Sequence, residues 1–208
     1  MNGNVSDVSQ RVSAVNNVYN TAMSCQTSNP KSAPGNKIQA DLAALRDLMV
    51  QNGFSPEEIA LVTNITNEDV MMAVETLLDR FSKKVRDKDG NLTVKPVSNP
   101  TICFVAGQPG CGKSNGIKIM AESLGDSGKP FESEMDAYRN MHPHIKALKE
   151  MIDRRFPGDI NKQGSLFVSM TSVWADMVEL AVSSYLLSQG FNVIKQTTGK
   201  NANSIIEH

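Results

Sequence analysis

A chain of 208 residues with 40% hydrophobic side chains has enough apolar mass for an ordinary packed core, which excludes wholesale disorder. Its 21 basic and 22 acidic side chains leave a formal charge of −1, so no global field draws it to nucleic acid or to an anionic membrane, and neither is an expected partner. No apolar run approaches the roughly 20 residues of a bilayer span, and three widely spaced cysteines (Cys25, Cys103, Cys111) suit neither a zinc site nor a disulfide framework.

Residues 1–36 are rich in Ser, Asn, Val and Gln, with small, scattered apolar residues. They read as a flexible leader. The segment lacks the basic start and apolar stretch of a secretory signal peptide. Its polar, Ser-rich character also suits an address for a bacterial export machine. The expected location is therefore the bacterial cytoplasm, or export as an effector without a cleaved signal peptide.

Residues 37–85 read as a helical segment. Ile38, Leu42, Leu45 and Leu48–Met49 recur at three- and four-residue spacing, and Gly53 follows as a stop. Ser55-Pro56-Glu57-Glu58 has the form of a capping box with proline at the first helical position. Thr66-Asn67-Glu68-Asp69 opens a third helix, whose Val70, Val74, Leu77, Leu78 and Phe81 fall on one stripe. Residues 86–100, with the turn dipeptide Asp89-Gly90 and with Pro96 and Pro100, read as a linker and domain boundary.

From residue 101 the pattern becomes α/β. Thr101–Ala106 is a nearly continuous apolar run, as in a buried parallel strand. A Gly-rich loop and a helix of about twelve residues follow, with Ile117, Met120, Ala121 and Leu124 inward. A second strand is expected near Phe131–Met135, a helix after Pro143, a long helix from about Met170 to Ser188, and a third strand over Phe191–Gln196. Alternating strands and helices predict a three-layer, parallel α/β sandwich of the P-loop NTPase or kinase type over residues 101–208.

Gly107-Gln108-Pro109-Gly110-Cys111-Gly112-Lys113-Ser114 satisfies G-x-x-x-x-G-K-[ST] in full, between a predicted strand and a predicted helix. A phosphate chain crowds negative oxygens into a small volume. A loop of this kind turns successive backbone N–H groups onto them, and glycines at 107, 110 and 112 permit the close approach. The positive end of the following helix adds to the attraction. Lys113 reaches the β- and γ-phosphates and the Ser114 hydroxyl ligates Mg²⁺, which defines a purine nucleoside triphosphate site. Asp136, just past the second strand, is placed either to take a proton from an acceptor hydroxyl or to cap the helix from Ala137. Arg139 is either a phosphate or substrate clamp or a solvated helix residue. His142 and His144 have no metal-ligand companions and read as packing or capping residues.

The P-loop together with the block Met135-Asp136-Ala137-Tyr138-Arg139-Asn140-Met141-His142-Pro143-His144 resembles the zeta toxin family, over about residues 100–200. The resemblance implies an ATP-dependent small-molecule kinase that phosphorylates a hydroxyl of a nucleotide sugar such as UDP-N-acetylglucosamine. It makes Lys113 and Ser114 the ATP and Mg²⁺ residues and Asp136 the base, with Arg139 in the family's arginine position. It also implies a partner protein, an antitoxin or a chaperone.

Later residues depart from the family pattern. Where the family carries E-G-T-x-R to hold the nucleotide sugar, this chain has Gln196-Thr197-Thr198-Gly199-Lys200, in which only Thr198 matches. Glu179 stands where the family has a carboxylate facing the acceptor, or on a helix surface. These changes bear on the acceptor more than on phosphoryl transfer, and NAD or a nucleic-acid end are other acceptors of the same class. Three strands are counted where such a kinase core has about five, and Arg154 and Arg155 precede the long helix. The expectation is therefore a core truncated at its C-terminus and short of lid arginines. The competing reading is a nucleotide-binding module that engages a partner protein without turnover.

Overall fold

The computed structural model describes residues 5–25, 33–107, 111–124 and 130–197. In chain order the elements are α1 (Val5–Ser24), α2 (Pro34–Gln51), α3 (Pro56–Thr63), α4 (Asn67–Lys84), β1 (Ile102–Ala106), α5 (Lys113–Ser123), β2 (Phe131–Ser133), α6 (Met135–Arg139), α7 (Ile145–Arg155), α8 (Ile160–Ser188) and β3 (Val193–Thr197). Two compact units divide the chain. The first comprises Met1–Val18, Val74–Glu134 and Val182–His208, and the second Tyr19–Ala73 and Met135–Ala181.

The first unit holds a parallel three-stranded sheet in the order β1-β3-β2. Its central strand is buried on both faces, with Val193 and Ile194 fully covered, which explains its apolar run. Asn192 sets the register at the start of that strand. Its carbonyl accepts from the Phe131 N–H and its side-chain oxygen from the Thr101 N–H. Cys103 pairs with Ile194, and both pack on Ile117 of α5, with Val105, Met120, Ala121 and Leu124 around them. Phe131 pairs with Val193, one step out of phase and so on the opposite face. There it meets the Phe81 ring of α4 edge-on, 5.4 Å between centroids, and Phe81 also meets Phe191 at 5.7 Å. Helices therefore cover both faces, the three-layer α/β arrangement expected.

The second unit is helical. Ile38, Leu42, Leu45 and Met49 of α2, Val62 of α3, Val70 of α4, Leu148, Met151 and Ile152 of α7, and Met170, Val173, Trp174 and Val178 of α8 are buried. The capping box at Ser55 forms: its hydroxyl accepts from the Glu58 N–H, and the Glu58 carboxylate accepts from the Ser55 N–H. Thr66 and Asp69 make the same reciprocal pair at the start of α4. Arg155 ends α7 with its guanidinium 4.6 Å over the Phe54 ring, donating to the Gly53 carbonyl and to Glu58.

Several expectations are corrected. Residues 1–36 are not a flexible leader throughout, because α1 occupies Val5–Ser24, with Val15 and Tyr19 buried and Arg11 ion-paired to Glu75. Val12, Val15, Tyr19 and Ala22 supply a helical stripe that small residues disguise. Nor do the contacts divide the chain at 86–100. That segment lies inside the first unit, where Val94 is buried and the Val97 N–H donates to the Gly190 carbonyl. Helix α8 begins at Ile160, well before Met170, with the Asp159 carboxylate accepting from the Lys162 N–H at its start. By length and composition α8 is able to cross a membrane, and the buried residues along it show the core use of its apolar surface.

Candidate phosphate-binding loop and acceptor-side residues

The first unit supplies the candidate phosphate-binding loop. Strand β1 delivers the chain to Gly107, and α5 departs at Lys113. Gly112, the residue before α5, has φ +83°, a left-handed conformation that costs a residue with a side chain about 1–2 kcal/mol. The Lys113 Nζ donates to the Gly107 carbonyl at 2.8 Å, so the ammonium folds back to the residue that follows β1. Gly107 is equally constrained: a Cβ there would lie 2.3 Å from the Cys111 Sγ and 3.4 Å from the Lys113 Cγ. A side chain at residue 107 would therefore require the Cys111 thiol to move aside. Ser114 is exposed in the first turn of α5.

The start of α5, left-handed Gly112 and the Lys113 ammonium lie at one end of β1, groups of the type that bind a polyphosphate, and the Ser114 hydroxyl is of the type that ligates Mg²⁺. Gln108, Pro109 and Gly110 lie outside the described residues, as do Thr198, Gly199 and Lys200. Cys111, exposed, and Gly112 complete the described part of the loop.

The second unit holds Asp136, Arg139 and Glu179. Asp136 is in the first turn of α6 with its carboxylate open to solvent, and it accepts from the Arg139 Nε at 3.3 Å. Arg139 is not a solvated helix residue. Its side chain is only 14% exposed, and a terminal guanidinium nitrogen donates to the Val168 carbonyl of α8 at 3.1 Å. Tyr138, fully buried, accepts from the Trp174 Nε1 at 2.8 Å through its carbonyl. His142 packs edge-on to Trp174 at 5.5 Å, and its Nδ1 accepts from the His144 N–H, which assigns its proton to Nε2. Burial lowers its pKa to about 4, with Val62 and Asp69 opposing. It is a neutral packing residue, as its sequence setting suggests.

Glu179 lies elsewhere on α8, beside Asp176. Asp176 is raised by burial, against the opposing pull of Lys37, 3.5 Å away. The sequence reading missed two residues here, Trp174 as an anchor for α6 and Asp176 as a half-buried carboxylate. The available signals were the single tryptophan of the chain and the two carboxylates, Asp176 and Glu179, set in the apolar stretch of α8. Among the described residues no cluster of three or more His, Cys, Asp or Glu is arranged to hold a metal.

Comparison with known proteins bears on this site. A family model described as Zeta toxin matches residues 71–206. A solved structure from the PezAT chromosomal toxin–antitoxin system of Streptococcus pneumoniae is similar at 22% identity and a TM-score of 0.45, covering 65% of this chain and 47% of that one. The present chain thus spans about half the length of that relative. A comparison with curated protein sequences found no match.

Proposed function

The chain belongs to the zeta toxin family, and from that premise we propose that it is an ATP-dependent kinase that transfers the γ-phosphoryl group to a hydroxyl of a nucleotide sugar such as UDP-N-acetylglucosamine. The observation that carries this reading is the junction of β1 and α5, where left-handed Gly112 precedes the helix and the Lys113 ammonium donates to the Gly107 carbonyl.

Each residue has a distinct task in this reading. Backbone donors at the start of α5 hold the phosphate chain, and Lys113 neutralises charge on the β- and γ-oxygens. Ser114 would hold Mg²⁺, which when bound would supply positive charge to offset that of the transferring group. Asp136 accepts the proton of the attacking hydroxyl as its oxygen bonds to γ-phosphorus and the bond to the β-phosphate oxygen breaks. Support for Asp136 is its exposed carboxylate just beyond β2. From the family resemblance alone, Glu179 and Thr198 are proposed to contribute to binding of the sugar nucleotide.

Toxin-family membership also supports an antitoxin as partner, and a substrate of this kind supports action in a bacterial cytoplasm. Incubation with γ-labelled ATP, Mg²⁺ and a panel of nucleotide sugars tests the reading. Label is expected on the sugar nucleotide with the wild type and not with Lys113→Ala or Asp136→Asn. Equal transfer by Asp136→Asn would remove the assigned base.

A further inference from the structure

Asp136 rides on a helix of five residues, too short to hold its shape alone. Its carboxylate is 95% exposed and has no packing of its own to fix a rotamer. Two consecutive residues nevertheless tie α6 to α8. Tyr138 does so through its carbonyl, which accepts from the buried Trp174, and Arg139 through its side chain. The Arg139 guanidinium is committed at both ends, one nitrogen to the Val168 carbonyl and Nε to the Asp136 carboxylate. A clamp for a substrate phosphate needs an open fork, and this one is largely covered.

We propose that Arg139 is a positioning residue that links the backbone of α8 at Val168 to the carboxylate of Asp136 and holds that carboxylate in one orientation toward the acceptor hydroxyl. The inference rests on Asp136 being the acceptor base. Because the guanidinium is planar and its donors are fixed relative to one another, it spans two acceptors in a set geometry. An ammonium on a flexible stem at the same position does not.

The test uses the full chain with Mg²⁺, ATP and UDP-N-acetylglucosamine, and compares Arg139→Ala, Arg139→Lys, Asp136→Asn and the Arg139→Ala/Asp136→Asn double variant. Arg139→Ala is expected to lower kcat on the order of 10²-fold, with KM for both substrates nearly unchanged. Arg139→Lys should not restore the rate, whereas added guanidinium ion should restore part of it in Arg139→Ala. In the Asp136→Asn background, removal of Arg139 should have no further effect. Unchanged ATP binding by calorimetry and an unchanged circular dichroism spectrum serve as fold controls.

A raised acceptor KM at constant kcat, or effects of the two substitutions that multiply, would overturn the proposal while leaving Asp136 as the base. Full activity of Asp136→Asn would overturn both. Should the wild type not phosphorylate this sugar nucleotide, the kinase reading fails separately, and NMR still decides the link. A slowly exchanging Arg139 Nε–H that is lost in Asp136→Asn supports it, and an unaffected signal sinks it.

Discussion

The indole N–H of Trp174 donates a 2.8 Å hydrogen bond to the carbonyl of Tyr138, and both residues are fully buried. This bond joins the long helix α8 to the short helix that carries Asp136. Trp174→Phe removes the donor and part of the ring volume, at an expected cost of about 2–4 kcal/mol from the two effects together. Urea denaturation should show a lower midpoint with an unchanged slope. An unaltered midpoint would mean the bond adds nothing.

Acid should destabilise the fold through His142. Its pKa is depressed to about 4 in the folded chain by burial, against an ordinary value of 6.5. The unfolded chain therefore takes up the proton first as pH falls. Stability from this group is fully present above pH 6.5 and is lost as pH drops toward 4, at up to about 1.4 kcal/mol per pH unit. His142→Gln should flatten that part of the stability–pH curve, and an equal slope in wild type and variant would exclude His142 as its source.

Glu58 serves three partners: the Ser55 N–H, Arg155 at 3.1 Å and Arg154 at 3.2 Å. Ser55→Ala removes only one half of the capping box and should cost about 1 kcal/mol. Glu58→Ala removes the other half and also leaves the half-buried Arg155 without its carboxylate. It should cost more than Ser55→Ala in thermal melts, and the reverse order would contradict the arrangement.

Gly112→Ala tests the shape of the loop. The left-handed backbone at this position penalises a Cβ by about 1–2 kcal/mol. Loss of nucleotide affinity on the order of 10-fold should follow if the loop relaxes to escape the strain. Equal affinity and equal melting temperature would show that the conformation is not required.

How far these features were legible in the sequence depended on whether the determinants were local. Strand β1 and helix α5 were readable because an apolar run and a helical stripe stand on either side of a complete phosphate-loop spacing. The helices at Pro56 and Asn67 announced themselves through capping residues three positions apart. Helix α1 did not, because its stripe has one aromatic residue, Tyr19, and otherwise valine and alanine among asparagines and serines, all weak signals. The early turns of α8 were hidden by Gly164 and Ser165 within the helix. The division into units rests on contacts between distant positions, such as Phe81 with Phe131 and Arg155 with Glu58, which no local pattern encodes.

The candidate site shows the same contrast. Lys113 and Ser114 stand in one contiguous motif, and the i,i+3 spacing of Asp136 and Arg139 foretells their contact on a helix. That Arg139 is covered rather than open depends on the Val168 carbonyl, 29 residues away, and lay beyond any reading of the block itself.

Isothermal titration of Mg²⁺ and ATP into the folded chain, beside Lys113→Ala, bears most directly on the phosphate-binding loop. Saturable heat at one site is expected for the wild type, with binding lost or weakened by orders of magnitude when the ammonium is removed. No heat from a folded wild-type sample, or the same affinity in both proteins, would contradict a polyphosphate grip by Gly107, Gly112 and Lys113.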